Sequence, residues 1–215
     1  MIRLFEQHYV RRQRELDGMW RYVREDGREY SLPVPGCVEQ HPELLTYRGK
    51  GSFYKRVSVR EKTNIRLEFK GVSHTAEVYF DGAFVVHHYN AFTGFDGVIA
   101  DVEPGEHEIR VCVDNSFNEE SALHIPNDYY TYGGIIRPVV LEELGNAYIR
   151  ELRFTPVRQD GVWQGVVEAW VENLTGKALD LEFTASLAGA RAAGRVSLEA
   201  GRAGKAELSL SCGEA

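Results

Sequence analysis

Three cysteines in 215 residues, Cys37, Cys112 and Cys212, are too few and too scattered for a disulfide framework, and no CxxC pair offers zinc ligands. The sequence has no apolar run near the ~18 residues that a membrane helix needs. Met1 to Trp20 lacks the continuous apolar core of a secretory signal. Basic residues are in deficit, 25 against 32 acidic, for a formal charge of -7. Nucleic-acid binding draws on clustered Lys and Arg, so no nucleic-acid partner is expected. No GxSxG elbow, P-loop or HExxH motif occurs. These absences point to a reducing, cytoplasmic setting without membrane, metal or cofactor, and they name no function.

What is present is an ample hydrophobic fraction, 43%, which supports a packed core rather than a disordered chain. Its pattern has period two. Ile65-Arg66-Leu67-Glu68-Phe69-Lys70, Ala76-Glu77-Val78-Tyr79-Phe80 and Ile109-Arg110-Val111-Cys112-Val113-Asp114 each put apolar side chains on one face. Successive strand side chains point to opposite faces, so such segments bury one side and wet the other. Asp81-Gly82 is a two-residue hairpin signal. Gly94, Gly97 and Pro104-Gly105 read as further turns. No long segment carries a helical stripe. The fold class is all-β, an antiparallel sandwich or barrel.

Composition shifts near Leu144-Gly145-Asn146, from Tyr, Phe and His to Ala, Leu, Glu and Gly. Two domains are expected, 1–145 and 146–215. The second should hold strands near Tyr148–Phe154, Val162–Glu172, Leu179–Leu187, Arg195–Ala200 and Ala206–Ser211. That pattern suggests an immunoglobulin-like sandwich, which needs about seven strands in ~100 residues. The domain is therefore expected to be incomplete, with an exposed sheet edge.

Candidate chemistry is sparse. His87-His88 are strand neighbours pointing to opposite faces, poor geometry for a shared metal. Asn118-Glu119 has the form of an acid/base pair in sugar-cleaving barrels but lies in a polar run that reads as a solvated loop. Glu142-Glu143 reads as charged surface. Pro126-Asn127-Asp128-Tyr129-Tyr130-Thr131-Tyr132-Gly133-Gly134 is more informative. Its aromatics could stack on sugar rings, with Asp128 accepting hydroxyls and the glycines letting the backbone turn closely beneath. Equally, the tyrosines could fill the sandwich rim while Asp128 caps a turn.

Six segments, in order, resemble one known family. They are LDGMWRY at Leu16–Tyr22, LPVPGCVEQ at Leu32–Gln40, GSFYKRVSV at Gly51–Val59, LEFKGVSHTAEVYFDG at Leu67–Gly82, GEHEIRVCVDN at Gly105–Asn115 and DYYTYGGIIRPVVLEEL at Asp128–Leu144. The series resembles the N-terminal sugar-binding domain of family-two glycoside hydrolases, the β-galactosidase and β-glucuronidase group. The resemblance implies a jelly-roll β-sandwich followed by a partial immunoglobulin-like β-sandwich. A TIM barrel carrying both catalytic glutamates would come next. Such a barrel needs ~250 residues, so no residue here inherits a catalytic role.

The resemblance implies one site residue. An Asp before the aromatic–Gly–Ile–Arg segment contacts a substrate hydroxyl in that family, and Asp128 matches it, with Asn127, Tyr129 and Tyr130 as weaker neighbours. Arg137, placed in the following strand, is expected to be structural, pairing with a buried acid or bracing the loop. The Pro35–Lys50 loop could also reach the sugar. The implied partners are a β-glycoside carbohydrate and the C-terminal catalytic barrel; homo-oligomer formation stays open. The leading reading is the non-catalytic N-terminal part of a β-glycosidase. Its alternatives are an autonomous, lectin-like carbohydrate-binding module and a purely structural sandwich.

Overall fold

The computed structural model describes residues 11–117, 131–187 and 189–213. In chain order they form β1 (Arg12–Glu15), β2 (Gly18–Arg24), β3 (Glu29–Val34), β4 (Lys50–Val59), β5 (Thr63–Phe69), β6 (Thr75–Phe80), β7 (Ala83–Tyr89), β8 (Phe95–Val102), β9 (Gly105–Asp114) and β10 (Val139–Leu144). These are followed by β11 (Ala147–Gln159), β12 (Val162–Asn173), β13 (Leu179–Leu187), β14 (Ala190–Leu198) and β15 (Ala203–Gly213). Two short 3-10 turns, Val38–Gln40 and Pro42–Leu44, are the helical elements among the described residues. No helix among them is long and apolar enough to cross a membrane. The chain divides into two compact units, Met1–Glu143 and Leu144–Ala215.

The first unit is a jelly-roll sandwich of two sheets, ordered β3-β2-β4-β9-β6-β7 and β1-β10-β5-β8. The pairings named between strands are antiparallel. Alternation dictates what lies between the sheets. Trp20 and Tyr22 of β2, Phe53 of β4, Val78 of β6 and Ile109 and Val111 of β9 come from one sheet. Ile65, Leu67 and Phe69 of β5 and Val139 and Leu141 of β10 come from the other. The β6–β7 hairpin turns at Asp81-Gly82, with φ of 49° and 80°, the left-handed geometry that Asp-Gly favours.

Two expectations are corrected here. Gly97 is inside β8, not in a turn: a Cβ there would sit 2.4 Å from Val85 Cγ1, so the glycine admits a close approach from β7. Glu142 is not charged surface. It is 2% exposed, with Arg11 Nε 3.4 Å and Arg66 Nε 3.5 Å from its carboxylate. Arg66 is itself buried and also reaches Glu68 at 3.4 Å and Asp96 at 3.8 Å, so its charge on β5 is met by acidic side chains.

The second unit holds a three-stranded sheet, β11-β12-β15, and a two-stranded one, β13-β14. Ala169, Val171 and Leu198 form its buried nucleus, with Ile149, Leu181, Phe183 and Val196 packed against them. All five expected strands are found; Leu179–Leu187 has the expected bounds, β11, β12 and β15 run longer, and β14 starts at Ala190 rather than Arg195 and ends at Leu198 rather than Ala200.

Candidate functional site

The site grows from Thr131 to Arg137. Ile135 is fully buried and anchors this stretch in the core. Its backbone is held on both sides: Gly36 N–H donates to Ile135 O (2.8 Å) and Val38 N–H to Gly133 O (2.9 Å). On the opposite side Ser73 N–H donates to Gly134 O (2.8 Å) and Gly134 N–H to Ser73 O (3.1 Å). The two glycines are required. At Gly134, φ is +120° and a Cβ would lie 2.9 Å from Gly36 O; at Gly133 it would lie 2.2 Å from Asn115 Nδ2.

Beneath Gly133 is a buried polar cluster. Glu39, 5% exposed, accepts the Gly133 N–H with Oε1 at 3.0 Å and Oε2 at 3.1 Å. Arg48 Nη1 and Asn115 Nδ2 each approach Oε1 at 3.4 Å. Arg48 Nη1 also donates to Thr131 O. Asn115 in turn accepts Gly49 N–H at 2.9 Å and donates to Tyr47 O at 3.3 Å. Burial pushes the Glu39 carboxyl above the usual carboxylate range, against the pull of the Gly133 N–H, Arg48 and Asn115.

Above this cluster opens a cavity of about 470 Å³ walled by Phe92, Tyr132, Ile136, Ala91 and Pro35, with Ser73, Cys37, Gln40 and Thr131 among its polar groups. Phe92 and Tyr132 are more than half exposed, so the cavity carries accessible aromatic surface of the kind that ring stacking uses. Burial, assisted by Glu39, raises the Cys37 thiol above its ordinary value, which keeps it protonated rather than nucleophilic. Among the described lining residues there is no Asp or Glu. The arrangement can hold a ring by stacking and hydroxyl contacts; among the described residues it presents no facing carboxylates for acid/base chemistry.

Asp128, Asn127, Tyr129 and Tyr130 lie outside the described residues, as do Asn118 and Glu119. Arg137 is at a bend two residues ahead of β10, not within the strand. Its Nη1 donates to Phe92 O at 3.0 Å and its guanidinium lies 6.0 Å from the Phe92 ring, so it ties the Thr131–Arg137 stretch to the Phe92 wall. His88 Nε2 meets Thr93 Oγ1 at 2.9 Å and its ring stacks on Phe95 at 4.3 Å. Glu39, Arg48 and Asn115 were not singled out by sequence reasoning. The signal available for Glu39 was its place in the Leu32–Gln40 segment.

The model of the glycosyl hydrolases family 2 sugar binding domain matches residues 28–144. The chain belongs to this family. Among solved structures, a GH2 β-galacturonidase from Eisenbergiella tayi, bound to galacturonate, is 42% identical with a TM-score of 0.85, over 98% of this chain and 39% of that one. A putative β-glucuronidase of Formosa agariphila is 33% identical over 114 residues, covering 51% of this chain and 14% of the relative. A β-galactosidase of Thermoanaerobacter pseudethanolicus is 26% identical over 151 residues, 66% of this chain and 18% of the relative. This family-2 chain thus spans less than half the length of each of these relatives, matching their sugar-binding part.

Proposed function

We propose that this chain is the N-terminal, non-catalytic part of a retaining β-glycosidase that acts on β-linked uronides of the galacturonide type. One observation carries the substrate class: the 42% identity, sustained over 98% of the chain, to a β-galacturonidase bound to galacturonate. In this reading residues 1–145 are the sugar-binding jelly roll, and its cavity forms one wall of the substrate pocket. Residues 146–215 begin an immunoglobulin-like sandwich that leads to the catalytic barrel. Asp128 contacts a sugar hydroxyl, with Asn127, Tyr129 and Tyr130 beside it. The free thiols Cys37 and Cys112 suit a cytoplasmic enzyme.

The test is hydrolysis of nitrophenyl β-glycosides by the polypeptide in which this chain continues into its barrel. A galacturonide should be preferred over the matching galactoside by about tenfold or more, the scale of one charge-assisted contact. Equal rates, or preference for the neutral sugar, overturn the substrate class. Asp128→Ala should cost about 1–3 kcal/mol of transition-state stabilisation, read as kcat/KM.

A further inference from the structure

We propose that Glu39 is a positioning residue whose two carboxylate oxygens hold Gly133 and so fix Tyr132 on the cavity wall. The proposal rests on the reading of that cavity as a substrate wall. Its geometry is specific to one peptide unit on each side of Tyr132. The Thr131 carbonyl is taken by Arg48 and the Gly133 N–H by Glu39 at 3.0 and 3.1 Å, while the Tyr132 side chain between them is 53% exposed and lines the cavity. The backbone is clamped inward and the ring is presented outward.

A buried carboxylate is a costly way to fill space. An apolar residue of similar volume is often as stabilising or more so, so retaining the ion calls for something that only the ion does. Here it gives the Gly133 N–H a charged acceptor, a shorter and stronger bond than a neutral acceptor provides. Arg48 serves as counter-charge 3.4 Å away and reaches the same segment from the other end. Gln at position 39 would keep the shape and, with its amide oxygen in the place of Oε1, would still accept from Arg48 and Asn115, but its NH2 group would face the Gly133 N–H where Oε2 now accepts it. The clamp would then loosen without emptying the core.

Amide hydrogen exchange on the full chain tests the clamp without any substrate. Glu39→Gln should speed exchange of residues 131–136 about tenfold or more, while the β4–β9 ladder keeps its protection. No change in 131–136, or an equal rise in β4 and β9, overturns the proposal. In the complete enzyme, with nitrophenyl β-galacturonide, Glu39→Gln and Tyr132→Ala should each lower kcat/KM about 10- to 100-fold, the effect of a displaced wall. The double variant should be no worse than Tyr132→Ala alone. Multiplying effects overturn the positioning role while leaving the proposed function in place. Unchanged kcat/KM in Tyr132→Ala overturns the wall and the positioning role together. An enzyme without turnover of any β-glycoside sinks the proposed function, and the exchange result then decides the clamp by itself.

Discussion

Both units are made of alternating strands, yet they bury their apolar faces to different depths. In Met1–Glu143 the large side chains disappear between two broad sheets: Trp20, Phe53 and Phe69 are essentially inaccessible. In Leu144–Ala215 the nucleus is Ala169, Val171 and Leu198, surrounded by residues that are half wet, while Leu152, Phe154 and Trp163 stay exposed. The contrast follows from sheet size. A six-stranded sheet over a four-stranded one covers its central strands on all sides, whereas three strands over two leave most positions near an edge. A unit of this length is also close to the size at which a single core becomes marginal. Alternation therefore announces a strand in both units but fixes how much burial each contact gains in neither.

The comparison breaks first, and by the largest margin, on matched truncations. Leu67→Ala, in a site with no exposure, should cost about 3–5 kcal/mol, and half-buried Leu181→Ala about 1 kcal/mol, each read by denaturant unfolding of the full chain. Equal costs would show the two cores to be equivalent. Ion pairs should divide the same way. Glu142→Ala removes one of three acidic partners of buried Arg66, leaving Glu68 at 3.4 Å and Asp96 at 3.8 Å, and should cost about 1–3 kcal/mol. Glu172→Gln, which removes the exposed pair to Arg150 at 2.9 Å, should change stability by less than about 1 kcal/mol.

A smaller effect is the response to pH. No histidine falls in residues 144–215, so titration between about pH 5 and 8 belongs to the first unit. The Asp81 carboxylate, 2.6 Å from His107 Nδ1, holds that imidazole above its ordinary value. Its contribution is complete below about pH 6.5 and is lost as pH rises through the raised value. Burial holds His74 below its ordinary value, so its contribution is present at higher pH and is lost as pH falls. His107→Asn should flatten the alkaline decline of the first unit's urea midpoint and leave the second unit's midpoint untouched. An unchanged slope would remove His107 from the account. Smallest of all, Leu152→Asn, at a position 58% exposed, should shift stability by no more than about 0.5 kcal/mol.

The same contrast separates what the sequence made legible from what it hid. Strand positions were readable because alternation is local: β9 alternates buried and half-buried residues along its second half, and β13 has the bounds that Leu179 to Leu187 suggest. Turn chemistry at Asp81-Gly82 was equally local. Arg66 and Glu142 were hidden because a charge on the polar face of a strand reads as solvated until a second charge arrives from another strand. Gly97 read as a turn because its reason is a valine across the sandwich. The pairing under Gly133 was hidden although Glu39 and Gly133 each lie in a segment that carries the resemblance, since they are 94 positions apart and no short motif links them. The Thr131–Gly134 end of the aromatic stretch was found by composition and by resemblance, while what holds it in place was not.

That separation along the chain bears on how the protein can diverge. The orientation of Tyr132 is inherited through a carboxylate far upstream, an arginine nine positions beyond it and an asparagine just past β9. Drift at any of the three would be felt at the tyrosine even if its own codon never changed. Among descendants of this sequence, positions 39, 48, 115 and 133 should therefore vary as a group, and a lineage that abandons one should abandon the others.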